Sequence, residues 1–285
     1  MRISLQRRTF LMLASSFIIG ALAMSALNPL TTPAKSNKSL IVFAGAAAQP
    51  VYEETAKIFE SKYNVKVELK LGGSGSVLSA MKITKMGDLF IPGSPEYLLE
   101  AVRSNLVDLN TVKKLTYLVP AIIVQKGNPL NISSLEDLAR PGLRVGIADP
   151  ASVCVGLYAK ELLEKNGLWE KIKNNIVVYA QSCDATASLI PTKAVDVVLG
   201  WHVFKDWYPD KAERIWITPS KITKIGYIAG GVSVFAVDKD LAMKFLEFLA
   251  SKDAAPIWAK YGYFATEEEA RQHAPNAVVE ELVVG

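Results

Sequence analysis

The sequence predicts an α/β protein of two lobes joined by a hinge, with a ligand cleft between them. Three observations carry this. From Leu40 onward, short apolar runs alternate with amphipathic stretches, the order of strands alternating with helices. A long strand-like run, "LTYLVPAIIVQKGNP" (115–129), is broken by Pro120, where the chain can pass from one lobe into another. A further strand, "YIAGGVSVFAV" (227–237), returns ahead of a terminal helical pair.

Taken in order, "LIVFA" (40–44) reads as a buried strand. In the helix that follows, "QPVYEETAKIFESKY", Pro50 suits the first turn and Glu53 and Glu54 lie near its positive end. Val51, Thr55, Ile58 and Phe59 fall on one face of it. "VKVELKL" (65–71) is apolar at every second position, a half-exposed strand. "DLFIPGS" (88–94) is a third strand and "PEYLLEAVRSN" the next helix, so the unit runs β-α-β-α-β, the order of a parallel sheet. "SSLEDLARPG" (133–142) is a short helix in which Ser134 and Asp137 resemble a capping box. Then come strand "LRVGIAD", helix "GLYAKELLEKNGLWEKIKN", strand "IVVYAQ", helix "ATASLIPTKA" and strands "VDVVLGW" and "RIWITP". The closing pair, "LAMKFLEFLASKDAAPIWAKYGYF", should pack back on the first lobe. The expected boundaries are 40–119 with 217–285 for lobe 1 and 120–216 for lobe 2, and no internal repeat is present.

Ahead of these units, "LQRRTFLML" has paired arginines, Arg7 and Arg8, followed by an apolar run to Leu27. This is the pattern of a twin-arginine export signal over 1–27. The competing reading is an uncleaved anchor, since roughly 18 apolar residues stand at the spanning threshold. Residues 28–39, "NPLTTPAKSNKS", read as a linker. The expected location is therefore periplasmic or otherwise extracytoplasmic. Formal net charge is +4, but three of the 32 basic residues, Arg2, Arg7 and Arg8, lie in the acid-free first 34 residues. The other 29 nearly balance 28 acidic side chains, which leaves no field to hold nucleic acid or an anionic membrane.

Ligands of open α/β sheets sit beyond the carboxyl ends of the strands, where helix N-termini supply unpaired N–H donors. Four strand-to-helix junctions are thus the candidate site: Ala44–Gln49, Gly72–Ser76, Asp149–Gly156 and Gln181–Thr186. The loop "GGSGSVL" lacks the Gly-Lys-Ser/Thr of a nucleotide-binding P-loop. Nor does it have the glycine two positions after Ser74 that a hydrolase elbow requires, since Ser76 stands there. With two histidines, His202 and His273, an acid–base triad has no evident members, and an enzyme is not expected.

In order and spacing, "VFAGAAAQ", "GGSGSVL", "DLFIPGS", "ADPASVCVGLYAKELLEKNGLW" and "WAKYGYF" resemble the periplasmic molybdate- and tungstate-binding proteins of ABC importers, across residues 40–264. The resemblance implies a type II periplasmic binding protein: a monomer without cofactor that holds a small tetrahedral oxyanion in its cleft and delivers it to a cognate ABC permease and ATPase complex. That family uses serine hydroxyls, backbone N–H groups and one tyrosine, with no metal and no basic residue. Carried over, the second-loop serine falls on Ser74, while the first-loop serine falls on Ala47, which has no hydroxyl. The tyrosine falls on Trp201, whose indole N–H can still donate, and the small residue after Asp-Pro falls at Cys154 or Val155. The backbone donor of the next loop falls near Asp184, and Ser76, Gly93 and Ser94 adjoin the set.

Two points stay open in the sequence. Asp184 either caps the helix "ATASLI" or faces the ligand; against a dianion about 4 Å away, each unit charge pair would cost about 4 kcal/mol. Because both cysteine loops border the family's ligand, Cys154 and Cys183 should be neighbours. They would form a disulfide or, with Asp184 and His202, a thiolate site for a soft or borderline metal ion or complex. A surface adhesion or sensory protein that kept the fold without transport is the third reading.

Overall fold

A computed structural model describes residues 38–282. The export signal expected over 1–27 lies outside them, as does the linker but for Lys38 and Ser39, and Ser39 already opens the first strand. Among the described residues, no helix is long and apolar enough to cross a membrane.

The first sheet is built by β1 (Ser39–Gly45), β2 (Lys66–Gly72) and β3 (Leu89–Ile91), with α1 (Gln49–Tyr63), α2 (Ser74–Thr84) and α3 (Pro95–Arg103) between and after them. Strands β2 and β3 lie parallel to β1 on either side. Register matters more here than strand length. Ala44 is level with Leu71 and with Ile91, so the three strands end together and release their loops side by side at one edge.

The chain then adds β4 (Lys113–Leu118), and after the single residue Val119 it begins β5 (Pro120–Gln125) in a different sheet. Pro120 has no N–H to give, so it stands where one ladder stops and the next starts. The second sheet follows with β6 (Val145–Ala148), α4 (Cys154–Lys165), α5 (Trp169–Ile172), β7 (Ile176–Ala180), α6 (Cys183–Ser188), β8 (Val197–Trp201), α7 (Phe204–Trp207) and β9 (Ala212–Ile215). Its strand order is β7-β6-β8-β5-β9. Strand β6 is parallel to both neighbours, and β5 is antiparallel to β8 and β9. Ala148 pairs with Ala180, so the loops leading to α4 and α6 also emerge level.

From β9 the chain crosses back to β10 (Lys224–Val232), which lies antiparallel between β3 and β4 and completes the first sheet. Then come α8 (Lys239–Leu249), α9 (Ala255–Lys260), α10 (Glu267–Arg271) and β11 (Val278–Val279). Helices α8 and α9 pack on α1: Phe59 meets Phe245 at 4.9 Å and Phe248 at 5.7 Å, and Tyr52 meets Trp258 edge-on at 6.2 Å.

Four local expectations need correction. Val51, Thr55 and Phe59 are buried on α1, but Ile58 is exposed, because the buried stripe turns toward Tyr52 and Ala56 instead. The helix expected across "GLYAKELLEKNGLWEKIKN" is two helices; Gly167, at φ +65°, takes the left-handed conformation that ends the first. The helix expected at 133–142 shrinks to one 3₁₀ turn, Glu136–Ala139. There Asp137 accepts the backbone N–H groups of both Ser133 and Ser134, at 2.7 and 3.0 Å. Finally, α7 and α10 are additions to the expected elements.

Phe59 is fully buried at the centre of the α1–α8 contact. Phe59→Ala is expected to lower unfolding free energy by about 3–5 kcal/mol, read from the denaturant midpoint at unchanged slope.

Candidate functional site

The level strand ends bring loops from both sheets into contact. The backbone N–H of Gly75, in the first turn of α2, donates to Ser152 O at 2.9 Å, joining the first sheet's loops to the second's. Gly73 is required at the same junction: a Cβ there would stand 2.8 Å from both Ser152 O and Gln181 O.

Behind this contact the residues singled out by the sequence divide into two groups. Ser74, Gly93, Ala47 and Cys154 converge. Gly93 N–H donates to Ser74 Oγ at 3.0 Å, and a Cβ built on Gly93 would lie 2.6 Å from both Ala47 Cβ and Cys154 Sγ. Cys183 joins them, its sulfur 3.7 Å from that of Cys154. Both are free thiols, well beyond the roughly 2.05 Å of a disulfide bond. Trp201, the last residue of β8, packs edge-on against Tyr158 at 4.9 Å and faces the Cys154 sulfur. All of these side chains are buried.

The others stand apart. Ser76 is exposed on the outer side of α2. Val155 is buried, and its N–H is directed to Cys183 Sγ. Asp184 is not the cap of α6; Ser182 is, accepting from Ala185 N–H at 3.3 Å. The Asp184 carboxylate accepts from Ser182 Oγ and lines a shallow pocket with Gln49, Glu53 and Tyr208. His202 does not approach the cysteines as a metal site would need. Its Nδ1 accepts Val119 N–H at 3.2 Å, its Nε2 donates to Gly262 O at 3.0 Å, and its ring stacks on Phe264 at 4.3 Å. Among the described residues no three His, Cys, Asp or Glu side chains are grouped as metal ligands.

The cage holds polar atoms that the protein itself leaves unsatisfied. Ser94 Oγ, Trp201 Nε1 and Tyr52 OH are buried without a hydrogen-bond partner. Ser94 occupies the N-cap position of α3, yet its hydroxyl makes no capping bond. Trp201 Nε1 lies near Cys154 Sγ without hydrogen-bond geometry, so its dipole acts on the sulfur while its N–H stays unpaired. Each such orphan costs about 1–3 kcal/mol, and three together mark a place prepared for a guest. Tyr52 and Tyr263, whose hydroxyl donates to Ala47 O, are wall residues that sequence reasoning missed. The available signal for Tyr52 was a phenol two residues after the helix-opening Pro50, on the buried face.

Among the described residues, the groups that meet in the cage, Ala47, Ser74, Gly93, Cys154, Cys183 and Trp201, include no Lys or Arg, and Ser94 follows Gly93 along the chain. Burial raises the Cys154 thiol, but hydrogen bonds from Cys183 and Ser74, with the nearby Trp201 indole dipole, outweigh it and hold Cys154 below the ordinary thiol value. Cys183 is pushed well up by burial and by its bond and charge contact with Cys154. Burial also lifts the Tyr52 hydroxyl far above its usual value, reinforced by charge on Cys154 and Cys183.

Burial, with Arg214 close by, pushes His202 from 6.5 down to about 3. A histidine that is neutral when folded binds more protons when unfolded at acid pH. Stability is therefore full above pH 6.5 and falls below it, by at most about 1.4 kcal/mol per pH unit from this residue. The half-buried His273 shifts the same way. Urea titrations from pH 7 to pH 4 should show this slope, and His202→Gln should make it shallower; equal slopes would refute the assignment.

Residues 40–264 match the family described as bacterial extracellular solute-binding protein. A putative binding protein of Haemophilus influenzae is 31% identical over 151 residues, which is 53% of this chain and 61% of that relative, so the chain spans less than two thirds of it. The molybdate-binding protein ModA of Escherichia coli is 24% identical over 232 residues, 79% of this chain and 88% of its own. Among solved structures, the substrate binding domain of a putative molybdenum ABC transporter from Clostridium difficile aligns with a TM-score of 0.61. It is 23% identical over 80% of this chain and 99% of its own, and at that identity the likeness concerns the fold, a two-lobed type II periplasmic binding protein.

Proposed function

The chain belongs to the bacterial extracellular solute-binding protein family, and from that premise we propose that it binds a small tetrahedral oxyanion, molybdate or tungstate first, between its lobes. It then delivers the ion to a cognate ABC permease and ATPase complex. It works as a monomer outside the cytoplasm, exported by its twin-arginine signal, and is not an enzyme. The lobes are 40–119 with 217–285 and 120–216, hinged at Val119 and at the return between β9 and β10.

One observation carries this reading: a cation-free cage with buried, unpartnered donors on Ser94, Trp201 and Tyr52 beside Ser74. A dianion taken from water must recover its hydration from such groups. Charge-assisted hydrogen bonds contribute about 1.5–3 kcal/mol each, and nanomolar affinity needs about 12 kcal/mol in all, so the cage has to act as a set. The similarity to a protein named for molybdate supports the choice of ion. Lys224, shared between Glu161 of α4 at 2.9 Å and Glu96 of α3 at 3.6 Å, supports closure by tying a helix of each sheet together. Occupation of both His202 nitrogens argues against a metal site formed with the cysteines.

Calorimetry with molybdate, tungstate and sulfate tests the proposal: heat and a raised Tm are expected with the first two, and silence from all three would end it. Ser74→Ala and Trp201→Phe should each weaken binding by about 10- to 150-fold, the equivalent of one charge-assisted hydrogen bond. Gly73→Ala, whose methyl would press on the backbone oxygens of Ser152 and Gln181, should weaken it at least tenfold and also lower the Tm of the free protein.

A further inference from the structure

The Cys154 sulfur sits where an anion would. It touches the Gly93 wall beside Ala47, and Ser74, Trp201 and Cys183 are all directed at it. The Gly93 backbone is packed so closely that a Cβ there would lie 2.6 Å from both Ala47 Cβ and Cys154 Sγ, so the sulfur fills the space beside this wall. The way out is also in place. Cys154 and Cys183 are the first residues of α4 and α6, on adjacent loops of one sheet, and their sulfurs are 3.7 Å apart. Bonding requires an approach to about 2.05 Å, which draws Cys154 Sγ toward Cys183 and away from Ser74 and Trp201.

We propose that Cys154 is an internal occupant of the ligand cage, and that its disulfide with Cys183 is the state that vacates the cage for the oxyanion. The reduced protein fills its own site; the oxidised protein, formed after export, binds. This rests on the oxyanion reading above and adds a redox condition to it. The oxidant is a disulfide, R′S–SR′, of an exported thiol oxidoreductase or a small molecule. With the cleft open, the Cys154 thiolate attacks one sulfur of R′S–SR′, forming a mixed disulfide and releasing R′S⁻, which takes up the proton Cys154 has lost. The Cys183 thiolate then attacks the Cys154 sulfur and releases the second R′S⁻, which takes up the proton from Cys183. The protein loses two electrons, and one disulfide becomes two thiols.

The test uses the full mature chain with molybdate as the probe. Protein reduced with a phosphine and protein oxidised with oxidised glutathione are first assayed for free thiols after denaturation, with two and none expected. Isothermal calorimetry should then give at least tenfold tighter binding for the oxidised form. Cys183→Ala, which cannot form the bond, should stay weak in both conditions. Cys154→Ala, which removes the occupant, should bind tightly in both. Equal affinity of reduced and oxidised wild-type protein overturns the proposal while leaving the oxyanion function standing. Tighter binding by the reduced form, or two free thiols that persist after oxidation, overturns it as well. No binding by oxidised protein, by Cys154→Ala, or with tungstate and sulfate in place of molybdate would remove the oxyanion function and this inference together.

Discussion

The constraint on which the site depends is strand register. Parallel strands carry no turn of their own, so each must end in a loop, and where the loops emerge is decided by which residues pair. Ala44 pairs with Leu71 and with Ile91 in one sheet, and Ala148 with Ala180 in the other. Loops distant in sequence therefore open toward a common space. A shift of one residue in any pair would move the loops carrying Ser74, Gly93 or Cys154 along the sheet and out of this common space. The short side chains follow from the same crowding. Gly73 and Gly93 let backbone, Ala47 and Cys154 approach closely where these loops meet.

The cage gathers hydroxyl, thiol and indole groups with no lysine or arginine among the described residues that meet there. A lysine or arginine in the cleft would pair with a carboxylate while the site is empty, and that pair would have to break for each guest. Hydroxyl and indole groups offer less attraction singly, but they carry no counterion and keep their geometry when buried. Positive charge is placed instead at the margin, where Lys224 lies between Glu96, Glu161 and Glu280. There it ties a helix of the first sheet to a helix of the second.

Much of the architecture was legible in local pattern. The strand "LIVFA", the strictly alternating "VKVELKL" and the Pro120 break each state their structure within a few residues. Helix α10 was missed although its capping signal stood in the sequence: Thr266 accepts Glu269 N–H at 3.3 Å, and Glu269 accepts Ala265 N–H. Gly167 likewise marked the division of α4 from α5. In the site, Ser74 and the two cysteines could be found because glycine-rich and Asp-Pro junctions point to them. Tyr52 and the idle hydroxyl of Ser94 could not, since a missing hydrogen bond is a property of three-dimensional surroundings. Asp184 was misplaced for a related reason: Ser182, two residues earlier, competes for the same cap and wins it.

Trp201 has a consequence outside binding energy. Its indole is fully buried beside the cage, and its N–H is unpaired. An indole in dry surroundings emits at shorter wavelength than one in water, and a hydrogen bond to its nitrogen, or a sulfur moving off its face, alters both colour and yield. The chromophore that nature placed in the wall is thus an optical gauge of what fills the cleft, and the molecule carries its own reporter without a label.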